Sequence, residues 1–266
     1  MKRLAWLLAI AVAVCAALGP LVFMVLASFA KGSGFQVGRL PLTLDAYRSV
    51  LTSSAVVRSI ILTTIIALGA SVITVVLSAP AGYALARTKS RWMAWASNSL
   101  LLAWLVPQVF STLAFFSVAV KLGFYQKPAL MVFFGVLLSV PLSVWVLRSF
   151  IVSVPRDIDE AAVTDGASLF RFLRQVLLPV AAPSIAAVAG YAFLITWQLY
   201  LYPLVYLAGA EEQMVSVQVA MFIGEWSTNY PQMMAFSTII TAPLVAVFLA
   251  IQKYIVSGVA AGAVNE

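Results

Sequence analysis

The sequence predicts an all-α integral membrane protein with six transmembrane helices. Three observations lead there. Of the 266 residues 63% are apolar and only 9% charged, with a mean hydropathy of +1.04, more oil than the core of a water-soluble domain of this length can hide. The apolar residues fall in long runs separated by short polar connections. The basic residues gather in every second connection, the bias of loops retained on the cytoplasmic side.

In chain order, Met1 to Arg3 is a basic start, and Leu4 to Ala30 is almost wholly apolar and long enough to cross a hydrocarbon core of about 30 Å. Ser28-Phe29-Ala30 loosely resembles a signal cleavage site, but the run exceeds a signal core and further spans come after it, so it reads as a retained first helix that Gly19-Pro20 can kink. Lys31 to Arg58 is an external loop in which Leu42 to Tyr47 starts a short surface helix. Ile60 to Leu85 is the second span, and Arg87, Lys89 and Arg91 mark a cytoplasmic turn, with Trp92 and Trp95 at the interface. Met93 to Val120, interrupted by Pro107, is the third span; Lys121 to Lys127 turns the chain outside, and Pro128 to Phe150 is the fourth. Ser184 to Leu207 makes the fifth span, Ala208 to Gln232 an outer stretch, Met233 to Val256 the sixth span, and Ser257 to Glu266 a small, polar tail.

Charge placement supports this arrangement. It puts Lys2, Arg3, Arg87, Lys89, Arg91, Arg148, Arg156, Arg171, Arg174 and Lys253 inside against Lys31, Arg39, Arg48, Arg58, Lys121 and Lys127 outside, several of these in a longer loop where charge counts less, with both termini cytoplasmic. The chain divides into residues 1–59 (first helix and external loop), a core at 60–256 that contains a connection at 151–183, and the tail at 257–266.

Composition also excludes functions. There is no histidine, and Cys15 is the single cysteine, so neither a disulfide framework nor a thiol or imidazole metal cluster can form. The net charge of +7 belongs to cytoplasmic loops rather than to a nucleic-acid surface. No Asp, Glu, Lys or Arg falls near the middle of a predicted span, where a proton relay would need one. No Gly-rich phosphate loop ending in Lys-Ser/Thr is present, so ATP is not bound by that route. Uphill transport would draw its energy from a partner.

One connection is built to receive such a partner. Of 16 basic and 9 acidic residues, eight lie between Arg148 and Pro179. Pro155 suits a first helical position, and Asp157, Asp159 and Glu160 favour the positive end of a helix. Gly166 can end that helix in the left-handed conformation. Ser168 then caps a second helix in which Leu169, Phe172, Leu173, Val176, Leu177 and Val180 form one apolar stripe opposite Arg171, Arg174 and Gln175.

Glu160-Ala161-Ala162, Asp165-Gly166-Ala167 and Leu178-Pro179 resemble the EAA signature of permease subunits of binding-protein-dependent ABC importers. The run from Pro155 to Pro183 is similar to the sugar-importer branch, in particular the six-span partner of the maltose-permease type. Val106-Pro107, Lys121 to Phe124, Pro141 with Trp145, Phe193 with Trp197 and the tail Gly258 to Val264 come in the family's order. The likeness spans roughly the last two hundred residues well and the first sixty weakly.

The resemblance implies an ABC importer permease core with a cytoplasmic coupling helix seated in a cleft of an ATPase. Ala161 and Ala162 would allow close approach, Glu160 would supply a charge-assisted contact, Gly166 the bend, and Asp165, Leu178 and Pro179 complete the motif. Gly262, Ala263 and Val264 would reach the ATPase pair, although Asn265-Glu266 replace the family's usual Lys-Gly ending. The implied partners are a second permease, two cytoplasmic ATPase subunits that bind ATP and Mg, an extracytoplasmic solute-binding protein and the lipid bilayer, with no nucleic acid. This chain would hold no cofactor or metal and catalyse nothing itself, in a bacterial cytoplasmic (inner) membrane.

Trp197-Gln198-Leu199-Tyr200 aligns with a family segment that commonly reads Trp-Asn-Glu/Asp-Phe, which makes Trp197, Gln198, Tyr200 and Tyr202 the candidates for a sugar path by stacking and hydrogen bonding. An interfacial aromatic belt is the plainer reading of the same residues, and Leu199 stands where the family has an acid. Other solutes (glycerol phosphate, a polyamine), an ion-coupled secondary transporter using backbone carbonyls, and a scaffold without transport are the competing functions.

Overall fold

The computed structural model describes residues 2–31, 42–88, 90–102, 107–209, 212–223 and 229–263. The chain is all-helical around a bundle of long helices: α1 Lys2–Ser28, α3 Ser54–Arg87, α6 Ala129–Ser153, α10 Ala182–Trp197 and α13 Tyr230–Ala263. Between them come α2 Asp45–Thr52, α4 Arg91–Leu102, α5 Gln108–Lys121, α7 Asp157–Thr164, α8 Leu169–Phe172, α9 Leu178–Val180, α11 Leu201–Tyr206 and α12 Val215–Ala220.

Four helices among the described residues are long and apolar enough to cross a bilayer on their own: Trp6–Ser28, Ser54–Arg87, Ala129–Ser153 and Tyr230–Gln252. Phe170–Val180 and α10 are long and apolar enough only when taken together, and they meet at 84°, the geometry of a broken span or a re-entrant loop, so four to five of the six expected spans are seen among the described residues. The stretch expected as a third span is two helices, α4 and α5. Pro107 stands immediately before α5, whereas 103–106 lie outside the described residues. The final helix continues through most of what the sequence suggested was a separate tail.

The centre is a seam between α3 and α6, which run parallel. Ala70 faces Gly135, Thr74 faces Ser139 and Gly82 faces Leu147. The partners recur every four residues on both helices, so small side chains line one stripe of each and the backbones approach closely, the packing that lipid-embedded helices favour. A Cβ on Gly135 would collide with Thr196 Oγ1 and lie 2.8 Å from Thr196 Cγ2 and 3.0 Å from Ala70 Cβ, so α3, α6 and α10 cross at this one glycine. Helix α10 runs antiparallel to the pair, with Val188 packed near Ala79 and Leu147 and Phe193 and Trp197 near Ala67. α13 packs on the far side of α10, where Gly190 admits Ile251.

The seam also carries a buried relay of hydroxyls. Ser139 Oγ donates to the Gly135 carbonyl at 2.7 Å and lies 2.7 Å from Thr74 Oγ1. Either hydroxyl can be the donor in the second bond. Replacing both residues (Thr74→Val, Ser139→Ala) should show an interaction energy of about 0.6 kcal/mol in a double-mutant cycle of detergent unfolding. Strictly additive losses would mean that the two hydroxyls act independently.

At the end of the bundle away from the charged connection, two segments read as outer loops are packed inward. α2 buries Ala46 and Val50 and is tied down by Ser28 Oγ to Tyr47 OH at 2.7 Å and Gln232 Nε2 to Ser49 Oγ at 2.9 Å. Met214, Val215 and Val217 are buried as well. The Val215 backbone N–H donates to Thr63 Oγ1 of α3 at 3.0 Å.

Candidate functional site

The charged connection folds as two short elements joined by a bend. The carbonyl of Arg156 accepts from the backbone N–H groups of Asp159 and Glu160 at 2.9 and 3.1 Å, so α7 starts at Asp157, and Pro155 lies just ahead of the helix rather than in its first turn. Asp157, Asp159 and Glu160 occupy the first turn, where exposed N–H groups favour negative charge. At the other end Gly166 takes φ +70°, and the Ala167 N–H bonds back to the Ala162 carbonyl at 3.0 Å. That is the Schellman closure, with Ala162 and Ala167 packed into one apolar cluster. Ser168 caps the next helix, as its Oγ accepts from the Arg171 N–H at 3.4 Å.

The second element departs from the single stripe. Residues Leu173–Leu177 form a π-helical turn, in which the Leu178 N–H bonds to the Leu173 carbonyl. One residue more per turn rotates the chain beyond it, so Phe172 and Leu177 point inward and Leu178 and Val180 are exposed. The adjoining Pro179 has no N–H with which to continue the α register.

Three contacts hold this assembly to the bundle. Ile151, Ala162, Phe172 and Leu177 form a buried cluster. The rings of Tyr83 and Phe172 lie 5.2 Å apart. Arg87, at the last position of α3, pairs with Asp159 at 2.5 Å and donates from Nη2 to the Val154 carbonyl at 3.1 Å. The motif residues then divide by direction. Ala162 is 9% exposed and faces the bundle, whereas Glu160, Ala161, Asp165, Gly166 and Pro179 are exposed. A hypothetical Cβ on Gly166 has nothing within 4 Å. Beside them Phe170 is 73% exposed, an aromatic that lies outside the i, i+3, i+4 series of the apolar stripe and so carried no signal in the sequence. Arg87 was legible only as a loop charge; its partner is 72 positions away, and no local signal marks it.

The four solute-path candidates are not on one surface. Trp197 closes α10, buried and stacked on Phe193 at 5.3 Å. Tyr202 is fully buried, stacked on Phe134 at 4.1 Å and bonded to Ser111 Oγ at 2.7 Å. Gln198 and Tyr200 lie exposed in the break between α10 and α11. The break ends the expected fifth span ten residues early. Of the tail candidates, Gly262 and Ala263 are the last turn of α13, and Val264 lies outside the described residues. Among the described residues no group of three or more His, Cys, Asp or Glu is placed to hold a metal.

Known proteins are similar to this chain in sequence or in fold. The trehalose/maltose transport system permease protein MalG of Thermococcus litoralis is 31% identical over 92% of this chain and 91% of its own length. The trehalose transport system permease protein SugB of Mycobacterium tuberculosis is 29% identical over 94% and 93%. A bacterial ABC transporter involved in the import of the acidic polysaccharide alginate has a chain with the same fold, at a TM-score of 0.79 and 20% identity over 95% of this chain and 96% of that one. Residues 78–261 match the model of the binding-protein-dependent transport system inner membrane component. With the matched residues running from the later turns of α3 through the charged connection to the end of α13, this chain belongs to that family of multi-pass membrane permeases.

Proposed function

We propose that this chain is one of two membrane-spanning subunits of an ABC importer for a sugar or oligosaccharide, paired with a second permease and driven by two ATPase subunits that bind ATP and Mg. An extracytoplasmic binding protein delivers the solute. The observation that carries this reading is the shape of the charged connection. An eight-residue helix, α7, presents an exposed Glu160-Ala161 edge and an open turn at Gly166, while its opposite side is fixed to the ends of α3 and α6. Such a helix can be gripped from outside the bundle without being detached from it. The names of MalG and SugB, both trehalose permeases, support a disaccharide as the solute.

In this reading the basic end of the bundle and both termini are cytoplasmic. ATP binding closes the ATPases, draws the coupling helices of the two permeases together, and turns the bundles from inward-facing to outward-facing. Exposed Gln198 and Tyr200 at the break after α10 are available to a neutral sugar, and Trp197 and Tyr202 brace the break from behind. In the same orientation the last turn of α13, with Gly262 and Ala263, comes toward the ATPase pair.

Proteoliposomes holding the assembled importer and its binding protein test this. ATP-dependent uptake of labelled trehalose or maltose is expected, and Glu160→Lys should lower it about tenfold, because a charge-assisted contact of about 1.5–3 kcal/mol becomes a repulsion. Uptake that survives removal of the ATPases would mean an ion-coupled carrier. Uptake confined to glycerol 3-phosphate or spermidine would leave the machine standing and replace the solute.

A further inference from the structure

We infer that the Arg87–Asp159 pair is the link through which α7 moves α3 and α6 together, making both residues positioning residues for ATP-driven transport. The inference rests on the importer reading above.

The geometry is that of a clamp. One guanidinium at the end of α3 holds the Asp159 carboxylate in the first turn of α7 and the Val154 carbonyl just past α6. The two charged side chains are 13% and 19% exposed, so water screens them little. Among the described residues this is the one ion pair. α7 has eight residues, too few to hold a position by its own helical stability, so its anchors define where it sits. The apolar cluster of Ile151, Ala162, Phe172 and Leu177 resists separation but is non-directional and can slide. The Arg87 bond to the Val154 carbonyl is directional and fixes register and angle, while the attraction of opposite charges holds Asp159 of α7 to the same guanidinium.

The helices they grip are stiff. The α3–α6 seam of small residues at four-residue spacing leaves little slack, so a pull on Arg87 and Val154 is carried to both helices at once. Without the clamp α7 can still be held by an ATPase, but its displacement is absorbed in the apolar contacts. Tyr83, whose ring lies tilted against Phe172 one turn before Arg87, lines the same joint and shares a side-chain hydrogen bond with Arg87 from the α3 side.

The test uses the assembled importer in proteoliposomes with its binding protein and labelled trehalose, comparing Asp159→Asn, Arg87→Gln and the reversed pair Arg87→Asp with Asp159→Arg. ATPase subunits should still co-purify with each single variant. Trehalose moved per ATP hydrolysed should fall about tenfold in each and return to within about threefold of wild type in the reversed pair. An unchanged ratio in both single variants would overturn the inference, as would a reversed pair no better than the singles.

A second readout does not depend on transport. With Cys15→Ser, a spin label on cysteine introduced at Thr164 should gain mobility in Asp159→Asn. If wild type takes up no trehalose with ATP, the importer reading or its solute has failed, and the label alone decides the clamp: an unchanged spectrum overturns it.

Discussion

Membranes carrying Gly135→Val are expected to hold little folded protein. An added Cβ would collide with the Thr196 hydroxyl and lie 2.8 Å from Thr196 Cγ2 and 3.0 Å from Ala70 Cβ, tighter than real side chains tolerate. Thr196 cannot swing aside cheaply, because it is β-branched and its hydroxyl is bonded to the Ala192 carbonyl at 2.7 Å. Ala70 is on α3 and cannot retreat without opening the seam. The strain must therefore separate three helices, at about 1–3 kcal/mol for Gly135→Ala and more for valine with its two further methyls. The measurement is the midpoint of thermal or detergent unfolding together with the yield of inserted protein. Thr196→Ala removes two of the three clashes, so the double variant Gly135→Ala, Thr196→Ala should be more stable than Gly135→Ala alone. If Gly135→Ala melts at the wild-type temperature, the crossing is looser than these distances require.

The second large effect is at Gly166. Gly166→Pro demands φ near −65° where the chain has +70°. The turn cannot form as it stands, and the bond from the Ala167 N–H to the Ala162 carbonyl that closes α7 is lost. The bundle, whose core lies elsewhere, should still insert and melt normally, while co-purification of ATPase subunits falls about a hundredfold, the equivalent of about 3 kcal/mol. Gly166→Ala separates two causes. Left-handed backbone costs an alanine about 1–2 kcal/mol, and the new methyl meets no atom of this chain within 4 Å. A loss of several-fold would then reflect conformational strain alone. A loss as deep as that of proline would mean that the ATPase packs directly on the bare glycine.

Much of the site was legible because it is local. Capping by Ser168, the left-handed Gly166 and the carboxylates in the first turn of α7 are decided by side chains within a few residues of the backbone groups they satisfy. The EAA pattern, with its spaced glycine and Leu-Pro, belongs to the same class, so the family could be reached from one connection. Pro155 and the apolar stripe from Leu169 to Val180 were placed less well. There the outcome turned on where Arg156 closes its bonds and on a π turn ahead of Pro179, and periodicity cannot see an inserted residue.

The sequence alone determined that the chain is helical and belongs in a bilayer, roughly where its apolar runs lie, and where its charge is concentrated, because hydropathy and charge placement act residue by residue against a fixed solvent. Only the tertiary structure decided which faces of those helices meet. The four-residue spacing of Ala70, Thr74, Ser78 and Gly82 is in the chain for anyone to read, but so are many other small residues, and nothing local says that Ala70 meets Gly135, Thr74 meets Ser139 and Gly82 meets Leu147. The same holds for the burial of Trp197 and Tyr202, for α12 folding back to bond Thr63, and for Arg87 finding Asp159. These are pairings between distant positions. They are set by shape and charge complementarity across helices, which exists only once the helices are packed.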